Sequence, residues 1–290
     1  MKKFFILIPV YNDWDSLLKL LFEINSSIQG IKNAEFRCII INDASTELMP
    51  KIKVPSNILS IKLINMKENR GHARCNAFGL RYISNLDNYD HVILMDGDGE
   101  DRPEEIKFLV EKALLDERKS VVAKRIKRSE GVFFQLLYQI HKIITFVFTG
   151  KNINFGNYSC LTKNDVKILS SKSSLWSSFS GSLRYHIKEL NSVNSIRGLR
   201  YVGPSKMSLF NLVVHSFSII AVFKKTVFLR SAILIIVASY FSPKYEIAVI
   251  SGQILLVIFN LVIFIVSLRE NKKSLLNSSL NESSSNLYTH

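Results

Sequence analysis

The stretch HVILMDGDGEDRPE at residues 91–104 decides the fold class of this chain. It opens on a mostly apolar run, which predicts a buried strand, and carboxylates spaced by glycines follow immediately. Residues two apart on an extended chain point the same way, so Asp96 and Asp98 present their carboxylates together, and Gly97 lets a ligand approach the backbone. Such oxygen ligands suit Mg²⁺ or Mn²⁺ holding a diphosphate, and the carboxyl edge of an α/β sheet is where ligands bind.

Two other interpretations of this acidic motif compete with a metal site. A polar turn between a strand and a helix accounts for Asp-Gly-Asp-Gly alone equally well. An EF-hand calcium loop is disfavoured, because its sixth position would be Asp101 instead of glycine, its twelfth would be Lys107 instead of Glu, and a strand precedes the loop. The rest of the chain favours the metal site over the turn.

The first half of the chain alternates strand and helix signals. The predicted strands are residues 4–10, 36–41, 60–65, 91–95 and 121–123, and the predicted helices are residues 16–28, 73–84, 103–116 and 131–150. This alternation predicts an α/β fold with a mostly parallel sheet and flanking helices on both faces. The aromatic-rich helix at 131–150 is either a core helix or a helix lying in the membrane interface.

The C-terminal third is far more apolar than the rest of the chain. Residues 247–268 contain no charged side chain and are long enough to span a hydrocarbon core of ~30 Å. Residues 226–241 are apolar apart from Arg230, which can extend toward the lipid headgroups, so they predict a shorter first span. Lysines and arginines flank the pair on both sides, and this bias predicts a transmembrane helical hairpin with both ends in the cytoplasm.

These features divide the chain into four predicted parts. They are a cytoplasmic catalytic domain at 1–210, a juxtamembrane amphipathic segment at 211–225, two transmembrane helices within 226–268, at about 226–241 and 247–268, and a disordered cytoplasmic tail at 269–290. The tail is rich in serine and asparagine and poor in apolar residues, which is typical of disorder. The expected location is the inner, cytoplasmic membrane, as a multi-pass protein whose catalytic domain faces the cytoplasm.

The composition restricts the partners. The formal net charge of +14 fits an anionic membrane surface or a phosphate-bearing substrate. We expect no nucleic-acid partner, since the sequence has no zinc-finger spacing and no aromatic signature of an RNA-binding module. Cys38, Cys75 and Cys160 are isolated, which predicts reduced, buried thiols. Homo-oligomer formation is left open.

Several motifs, taken in order, resemble those of the family 2 glycosyltransferases with a GT-A fold. They are Ile8-Pro9-Val10-Tyr11-Asn12, Ile41-Asn42-Asp43-Ala44-Ser45, Asn69-Arg70-Gly71, Asp96-Gly97-Asp98 and Gly203-Pro204-Ser205-Lys206-Met207-Ser208. The resemblance covers roughly residues 3–210 by motif. Together with the apolar hairpin that follows, the chain resembles the dolichyl- or polyprenyl-phosphate sugar synthases.

The resemblance implies roles for the residues of these motifs. Asp96 and Asp98 would be the catalytic acids, and Asp98 and Glu100 would ligate Mg²⁺ or Mn²⁺. The nucleotide-sugar would be bound by Pro9, Tyr11, Asn12, Asp43, Arg70, Gly71, Asp96, Gly97, Lys124 and Arg125. Of these, Lys124 and Arg125 follow the fifth predicted strand together with Arg128, where cationic side chains could hold phosphate oxygens. Arg200, Ser205 and Lys206 precede the membrane segments and are the expected ligands of an acceptor phosphate.

The expected reaction follows from the same resemblance. A sugar would pass, with inversion at the anomeric carbon, from a UDP- or GDP-linked donor to a polyprenyl phosphate at the cytoplasmic membrane face. A divalent metal ion would neutralise the charge on the leaving diphosphate.

Some residues depart from the pattern of the family. Asn154, Asn157 and Ser159 stand where many relatives have Asp, Asp and Arg, and Asn42 replaces the first acid of the second-strand motif. They leave open the alternative of a membrane-bound family 2 enzyme that uses a hydroxyl acceptor in glycolipid or polysaccharide synthesis. Two more distant alternatives are a nucleotidyltransferase, whose glycine-rich phosphate loop is absent near the N-terminus, and a non-catalytic membrane scaffold.

Overall fold

The computed structural model describes residues 1–127, 132–204 and 208–290. Its strands are β1 (Lys2–Val10), β2 (Ala34–Asn42), β3 (Ile61–Met66), β4 (His91–Leu94), β5 (Val121–Lys127), β6 (Phe155–Thr162), β7 (Asn191–Ile196) and β8 (Glu282–Tyr288). They form one sheet in the order β7-β5-β6-β4-β1-β2-β3-β8. All five strands predicted from the sequence are confirmed.

The centre of the sheet is parallel, as the sequence predicts. β1 pairs in parallel with β2 and β4, and β2 pairs in parallel with β3. β6 runs antiparallel between β4 and β5, and β5 pairs in parallel with β7. The carboxyl ends of β1 to β4 therefore meet at one edge, and the polar motifs of the sequence lie there.

Helices cover both faces of the sheet. They are α1 (Trp14–Ile28), α2 (His72–Ser84), α3 (Ile106–Leu115), α4 (Val132–Thr149), α5 (Lys163–Leu169), α6 (Phe179–His186), α7 (Leu209–Ala221), α8 (Lys224–Tyr240), α9 (Ser242–Ser267) and α10 (Lys272–Leu276). Ile6 and Ile8 of β1 enter one apolar cluster with α1 and α3, whereas Leu7 enters a second cluster with α2, α5 and α6. This alternation follows the two-residue period of a strand, and it confirms helices on both faces.

β4 shows why the stretch at 91–104 is decisive. All four residues of this strand are buried, because it lies between β1 and β6 and is covered on both faces. A strand in this position must be apolar on both sides, which makes it a continuous apolar run in the sequence. Its one polar residue, His91, stacks on Phe4 with ring centroids 5.0 Å apart.

The prediction of a disordered tail at 269–290 is wrong. α10 places Leu275 in the apolar core, and β8 pairs antiparallel with β3, from Tyr288 opposite Ile61 to Glu282 opposite Met66. β8 is rich in serine and asparagine, so its sequence lacks the apolar pattern that predicts a strand. It forms nevertheless, because a strand at a sheet edge is held by backbone hydrogen bonds and needs few buried apolar side chains.

The predicted transmembrane hairpin is supported in part. α8 and α9 follow one another and pack together, and Gln253 Nε2 donates to Ser239 Oγ at 2.9 Å. Among the described residues, one helical stretch, within Tyr245–Leu276, is long and apolar enough to cross a membrane, and an 18-residue part of it has a mean hydropathy of 2.7. α8, with 17 residues, is too short to qualify. A two-span topology therefore stays a prediction.

α4 forms in the region where residues 131–150 predict a helix, and one of its sides packs against α8 and α9. Arg230 Nη1 donates to the carbonyl oxygen of Val147 at 2.7 Å, and the rings of Phe148 and Phe259 lie 4.5 Å apart. Phe146, also on α4, remains 60% exposed. An apolar face thus stays uncovered beside the most apolar helices, which favours the membrane-interface interpretation over a core helix.

Candidate active site

The loop after β4 carries the acidic motif across the carboxyl end of β1, and glycines fix its path. A side-chain carbon at Gly97 would lie 2.9 Å from the carbonyl oxygen of Pro9, so only glycine allows this close approach. Gly99 has a φ of +87° and lies against the ring of Tyr201, which leaves no room for a side chain. The loop is therefore pressed between the end of β1 and the segment that follows β7.

The carboxylate of Asp96 contacts the side chains of His72 and Asn157. Neither contact was predicted from the sequence. The Oδ1 atom of Asp96 lies 2.8 Å from Nε2 of His72 and accepts a hydrogen bond from Asn157 Nδ2 at 3.1 Å. Burial opposes ionisation of Asp96, but the charge and hydrogen bond of His72, with Arg125 and Asn157, outweigh it and hold the pKa of Asp96 well below its ordinary value. Asp96 is therefore ionised.

His72 responds in the opposite direction. Burial disfavours its protonated form, but the neighbouring carboxylates, with Asp96 foremost, raise the pKa of His72 above its ordinary value. The imidazole stands at the first position of α2, directly after the Asn-Arg-Gly turn. Its place at the start of a helix facing the sheet edge is the signal by which sequence reasoning could have found it.

Asp98 is bound by an arginine from the segment after β7. Nη1 of Arg200 donates to Oδ2 of Asp98 at 2.9 Å, and Nη2 of Arg200 pairs with Asp13. The backbone joins the two segments as well, since the amide of Tyr201 donates to the carbonyl oxygen of Asp98 at 2.9 Å. Burial, with the charges of Asp96 and Glu100, raises the pKa of Asp98 to about 6.

The other two acids of the loop also have cationic partners. Arg197 pairs with Glu100, and Arg125 Nη2 lies 3.8 Å from Oδ1 of Asp101. Asp101 in turn accepts a hydrogen bond from the backbone amide of Asp96 at 3.0 Å. Burial and the charge of Asp96 raise the pKa of Asp101 to about 7. Each carboxylate of the loop thus faces its own basic side chain.

The predicted metal ligands, Asp98 and Glu100, are both paired with arginines. Their carboxylate oxygens suit Mg²⁺ or Mn²⁺ in chemistry, so the donor set fits the ion. In residues 1–127, 132–204 and 208–290, however, no group of three His, Cys, Asp or Glu side chains is arranged to hold a metal. An ion at Asp98 would take the place that the Arg200 guanidinium occupies beside this carboxylate.

A second loop of the site is built around Asp43 at the end of β2. Its two carboxylate oxygens accept hydrogen bonds from the backbone amides of Arg70 at 2.9 Å and Gly71 at 2.8 Å. Gly71 has a φ of +89°, a left-handed conformation that favours glycine. Asp43 is buried, and its two hydrogen bonds hold the turn before α2 against the end of β2.

Asn12, a predicted ligand of the nucleotide-sugar, stabilises the turn after β1. The Oδ1 atom of Asn12 accepts hydrogen bonds from the backbone amides of Thr46 at 2.8 Å and Glu47 at 3.1 Å. Tyr11, beside it, is 39% exposed at the same edge. The structure therefore brings Tyr11, Asn12 and Asp43 to one region, next to the acidic loop.

The predicted cationic residues fall into three groups. Arg125 lies in the site, whereas Lys124 is exposed and the guanidinium of Arg70 pairs with Glu68 at the surface. Arg200 lies in the site but binds carboxylates. Two further predicted cations, Arg128 and Lys206, lie outside the described residues, as does Ser205, the uncharged predicted ligand of the acceptor phosphate.

Comparisons with known proteins identify the family of the chain. A sequence model of the family described as "Glycosyl transferase family 2" matches residues 5–179. The undecaprenyl-phosphate 4-deoxy-4-formamido-L-arabinose transferases of Salmonella choleraesuis (strain SC-B67) and Salmonella paratyphi B are each 31% identical over 170 residues, which make up 56% of this chain and 48% of each relative. The chain thus spans about half the length of the curated relatives it matches.

Solved structures share the fold. Glucosyl-3-phosphoglycerate synthase from Mycobacterium tuberculosis, in complex with Mn²⁺, UDP-glucose and phosphoglyceric acid, has a TM-score of 0.52 at 13% identity, covering 78% of this chain and 80% of that chain. Its complex with Mn²⁺, UDP and phosphoglyceric acid has the same TM-score and identity and covers 78% of both chains. This likeness confirms the predicted GT-A type of fold. Since the family match spans more than half of the sequence, the chain belongs to glycosyl transferase family 2.

Proposed function

We propose that this protein transfers a sugar, with inversion, from a nucleotide-sugar to a polyprenyl phosphate at the membrane surface. The observation that carries the proposal is the meeting of the acidic loop and the Asp43 loop at one edge of the sheet, in a chain with a long apolar helix. The curated relatives in Salmonella are named as undecaprenyl-phosphate sugar transferases, which supports this acceptor.

The donor would lie along the carboxyl edge between these two loops. Tyr11, Asn12 and the Asp43 turn would contact the nucleoside, and Gly97 would let the diphosphate approach the backbone of the acidic loop. Arg125, which is mostly buried beside Asp101, would donate to phosphate oxygens. These are the roles that the resemblance to the family implies for the same residues.

A divalent cation would be held by Asp98, with Glu100 as a second ligand. When bound, it would supply charge neutralisation for the departing nucleoside diphosphate. The solved relative from Mycobacterium tuberculosis was crystallised with Mn²⁺ and UDP-glucose, which supports such an ion. Arg200, released from Asp98, would remain near the site as a donor for phosphate oxygens.

A lipid phosphate acceptor suits the polar character of the site. The acceptor is already an anion, so it needs little help from a general base. Asp96 would be a weak base, because His72 and Asn157 both hold its ionised oxygen. A polyprenyl phosphate is confined to the bilayer, and a catalytic domain anchored by α9 would meet it at a raised effective concentration.

The test uses the full chain in lipid nanodiscs with Mn²⁺ or Mg²⁺, undecaprenyl phosphate and radiolabelled UDP- and GDP-sugars. We expect metal-dependent label in the organic phase, lost in Asp98→Asn and retained in Asp87→Asn, a matched change at an exposed aspartate. Binding of a nucleotide-sugar without label in undecaprenyl phosphate would refute this acceptor.

The hydroxyl-acceptor alternative has one observation in its favour. The raised pKa of Asp98, about 6, makes its carboxylate a stronger base than an ordinary aspartate, and a hydroxyl acceptor needs a base. The same assay with a glycolipid acceptor separates the two functions, because only the alternative predicts transfer to a hydroxyl.

A further inference from the structure

The segment that follows α9 returns to the catalytic sheet and contacts the loop beside the candidate donor site. Asn281 is buried, and its carbonyl oxygen accepts a hydrogen bond from the amide of Lys67 at 2.7 Å. Its side-chain Nδ2 donates to the carbonyl oxygen of Glu68 at 3.1 Å. Lys67 adds a second link, because its Nζ donates to the carbonyl oxygen of Leu280 at 2.8 Å.

Two residues after Glu68, the chain enters the turn that Asp43 holds. Asp43 accepts from the amides of Arg70 and Gly71, and both of its oxygens are used for this. The turn is therefore fixed from two sides, by Asp43 within the sheet and by Asn281 from the tail. Since α2 begins at His72, the same turn also sets where the partner of Asp96 stands.

A second line of hydrogen bonds runs from β8 across two strand ends. Asn65 Nδ2 donates to Ser284 Oγ at 3.0 Å, and Asn65 Oδ1 accepts from Asn42 Nδ2 at 2.9 Å. Asn42 Oδ1 then accepts from the amide of Ser45 at 3.0 Å, and Ser45 Oγ accepts from the amide of Asn12 at 2.9 Å. This line links the tail with the turn after β1.

The line also accounts for Asn42, which departs from the family pattern. An aspartate at this position could accept from the Ser45 amide but could not donate to Asn65. Asn65 would then have to turn its amide toward residue 42, and its Oδ1 would face the Ser284 hydroxyl, which would have to donate instead of accept. The side chain of Asn42 is therefore connected to β8 through Asn65, in one line of hydrogen bonds.

We propose that Asn281 and β8 are positioning elements of the donor site, acting through residues 65–71 and Asp43. The inference rests on the proposed function, in that the Asp43 turn is taken to bind the donor nucleotide. In residues 1–127, 132–204 and 208–290, β8 is the strand that pairs with the outer edge of β3. Without it, residues 67 and 68 would lose their contacts to Asn281 and Leu280, and the turn would be held from one side.

The test compares Asn281→Asp with Asn286→Asp in the full chain in nanodiscs. The first change is isosteric and removes the amide donor to the carbonyl oxygen of Glu68. The second adds the same charge at Asn286, an exposed position within β8. The measurements are hydrogen exchange of the peptide covering residues 67–72, and the affinities for UDP and GDP.

For Asn281→Asp we expect exchange at residues 67–72 and the nucleotide dissociation constant each to rise about five-fold, since a lost hydrogen bond of this kind is worth ~1 kcal/mol. The KM for the lipid acceptor and kcat should stay within a factor of two or so of wild type, because the change acts on donor binding. Asn286→Asp should match wild type in every measurement.

Unchanged exchange at residues 67–72 in Asn281→Asp would overturn the positioning role. So would a fall in kcat alone with unchanged nucleotide affinity. If Asn281→Asp does not fold, Ser284→Ala, at an exposed side chain, should raise the donor KM about two-fold through the second line. If wild type binds neither UDP nor GDP, the proposed function fails, and hydrogen exchange still decides whether Asn281 holds the turn.

Discussion

Arg200 donates from Nη1 to Oδ2 of Asp98 at 2.9 Å, and its other terminal nitrogen pairs with Asp13. A cationic side chain thus lies beside the acid that is expected to bind a divalent cation. Guanidinium and metal ion would neutralise the same charge, so they compete for Asp98.

The first prediction concerns this competition. Arg200→Ala should strengthen Mn²⁺ binding about ten-fold, because Asp98 and Asp13 lose a paired cation. The measurement is titration calorimetry with Mn²⁺ in the absence of donor. Arg118→Ala, at a side chain that is 92% exposed, should leave the Mn²⁺ affinity unchanged. Weaker Mn²⁺ binding in Arg200→Ala would show instead that the arginine organises the ligands.

The second prediction restores a family acid. Asn157→Asp replaces the amide that donates to Asp96 at 3.1 Å with a second carboxylate. Repulsion between the two carboxylates should lower the free energy of unfolding by about 1–2 kcal/mol at pH 7.5. Denaturant titration at pH 7.5 measures this, and Asn154→Asp, which is not bonded to Asp96, serves as the control. Equal stability of Asn157→Asp and wild type would mean that the hydrogen bond to Asp96 contributes nothing.

The third prediction concerns the fit of the acidic loop on β1. A methyl group at Gly97 would meet the carbonyl oxygen of Pro9 at 2.9 Å, so Gly97→Ala should cost about 1–3 kcal/mol of stability. Gly252→Ala, where nothing lies within 4 Å of the added carbon, should be neutral or stabilising. Thermal unfolding in detergent compares the two variants. A smaller loss in Gly97→Ala than in Gly252→Ala would contradict the close approach of the loop.

The fourth prediction concerns pH. Burial, with the positive charges of His72, His141 and Arg125, lowers the pKa of His215 to about 4, while Asp96 acts in the opposite direction. Below about pH 6.5 the unfolded chain takes up a proton that the folded His215 does not, so stability falls as the pH drops toward 4. His215→Asn should therefore lose about 2 kcal/mol less than wild type between pH 7 and pH 4.

Denaturant titrations at several pH values between 4 and 7 test this difference. Thr289→Asn, a change at an exposed residue that does not titrate, should follow the wild-type curve. Parallel curves for His215→Asn and wild type would show that His215 does not titrate differently in the folded and unfolded chains.

The parts of the fold predicted from the sequence are those with a strong local signal. β4 is an apolar run that must be buried on both faces, and the glycines of the next loop mark a close approach to β1. β8 has no such signal, because its stability comes from backbone pairing with β3, which is more than 200 residues away in the chain. Local sequence cannot report a partner at that distance.

The same limit applies to the candidate site. Asp96 and Asp98 are predicted because they follow a buried strand at the edge of the sheet where ligands bind, and Asp43 because its motif resembles that of the family. Their cationic partners come from other segments, and the tertiary fold alone brings Arg197 and Arg200 against the acidic loop. The charge balance of the loop is therefore a property of the fold, and it was not visible in the motif.

The return of the tail to the sheet has a mechanical consequence for the helix pair. α7, which leads into α8, has Ile219 and Ile220 in the core of the catalytic domain, and α9 leads into α10 and β8. Among the described residues, the helix pair is therefore joined to the catalytic domain at both ends, through α7 before it and through α10 and β8 after it. If the helix pair lies in a bilayer, these two attachments would fix the height and tilt of the candidate site relative to the membrane surface.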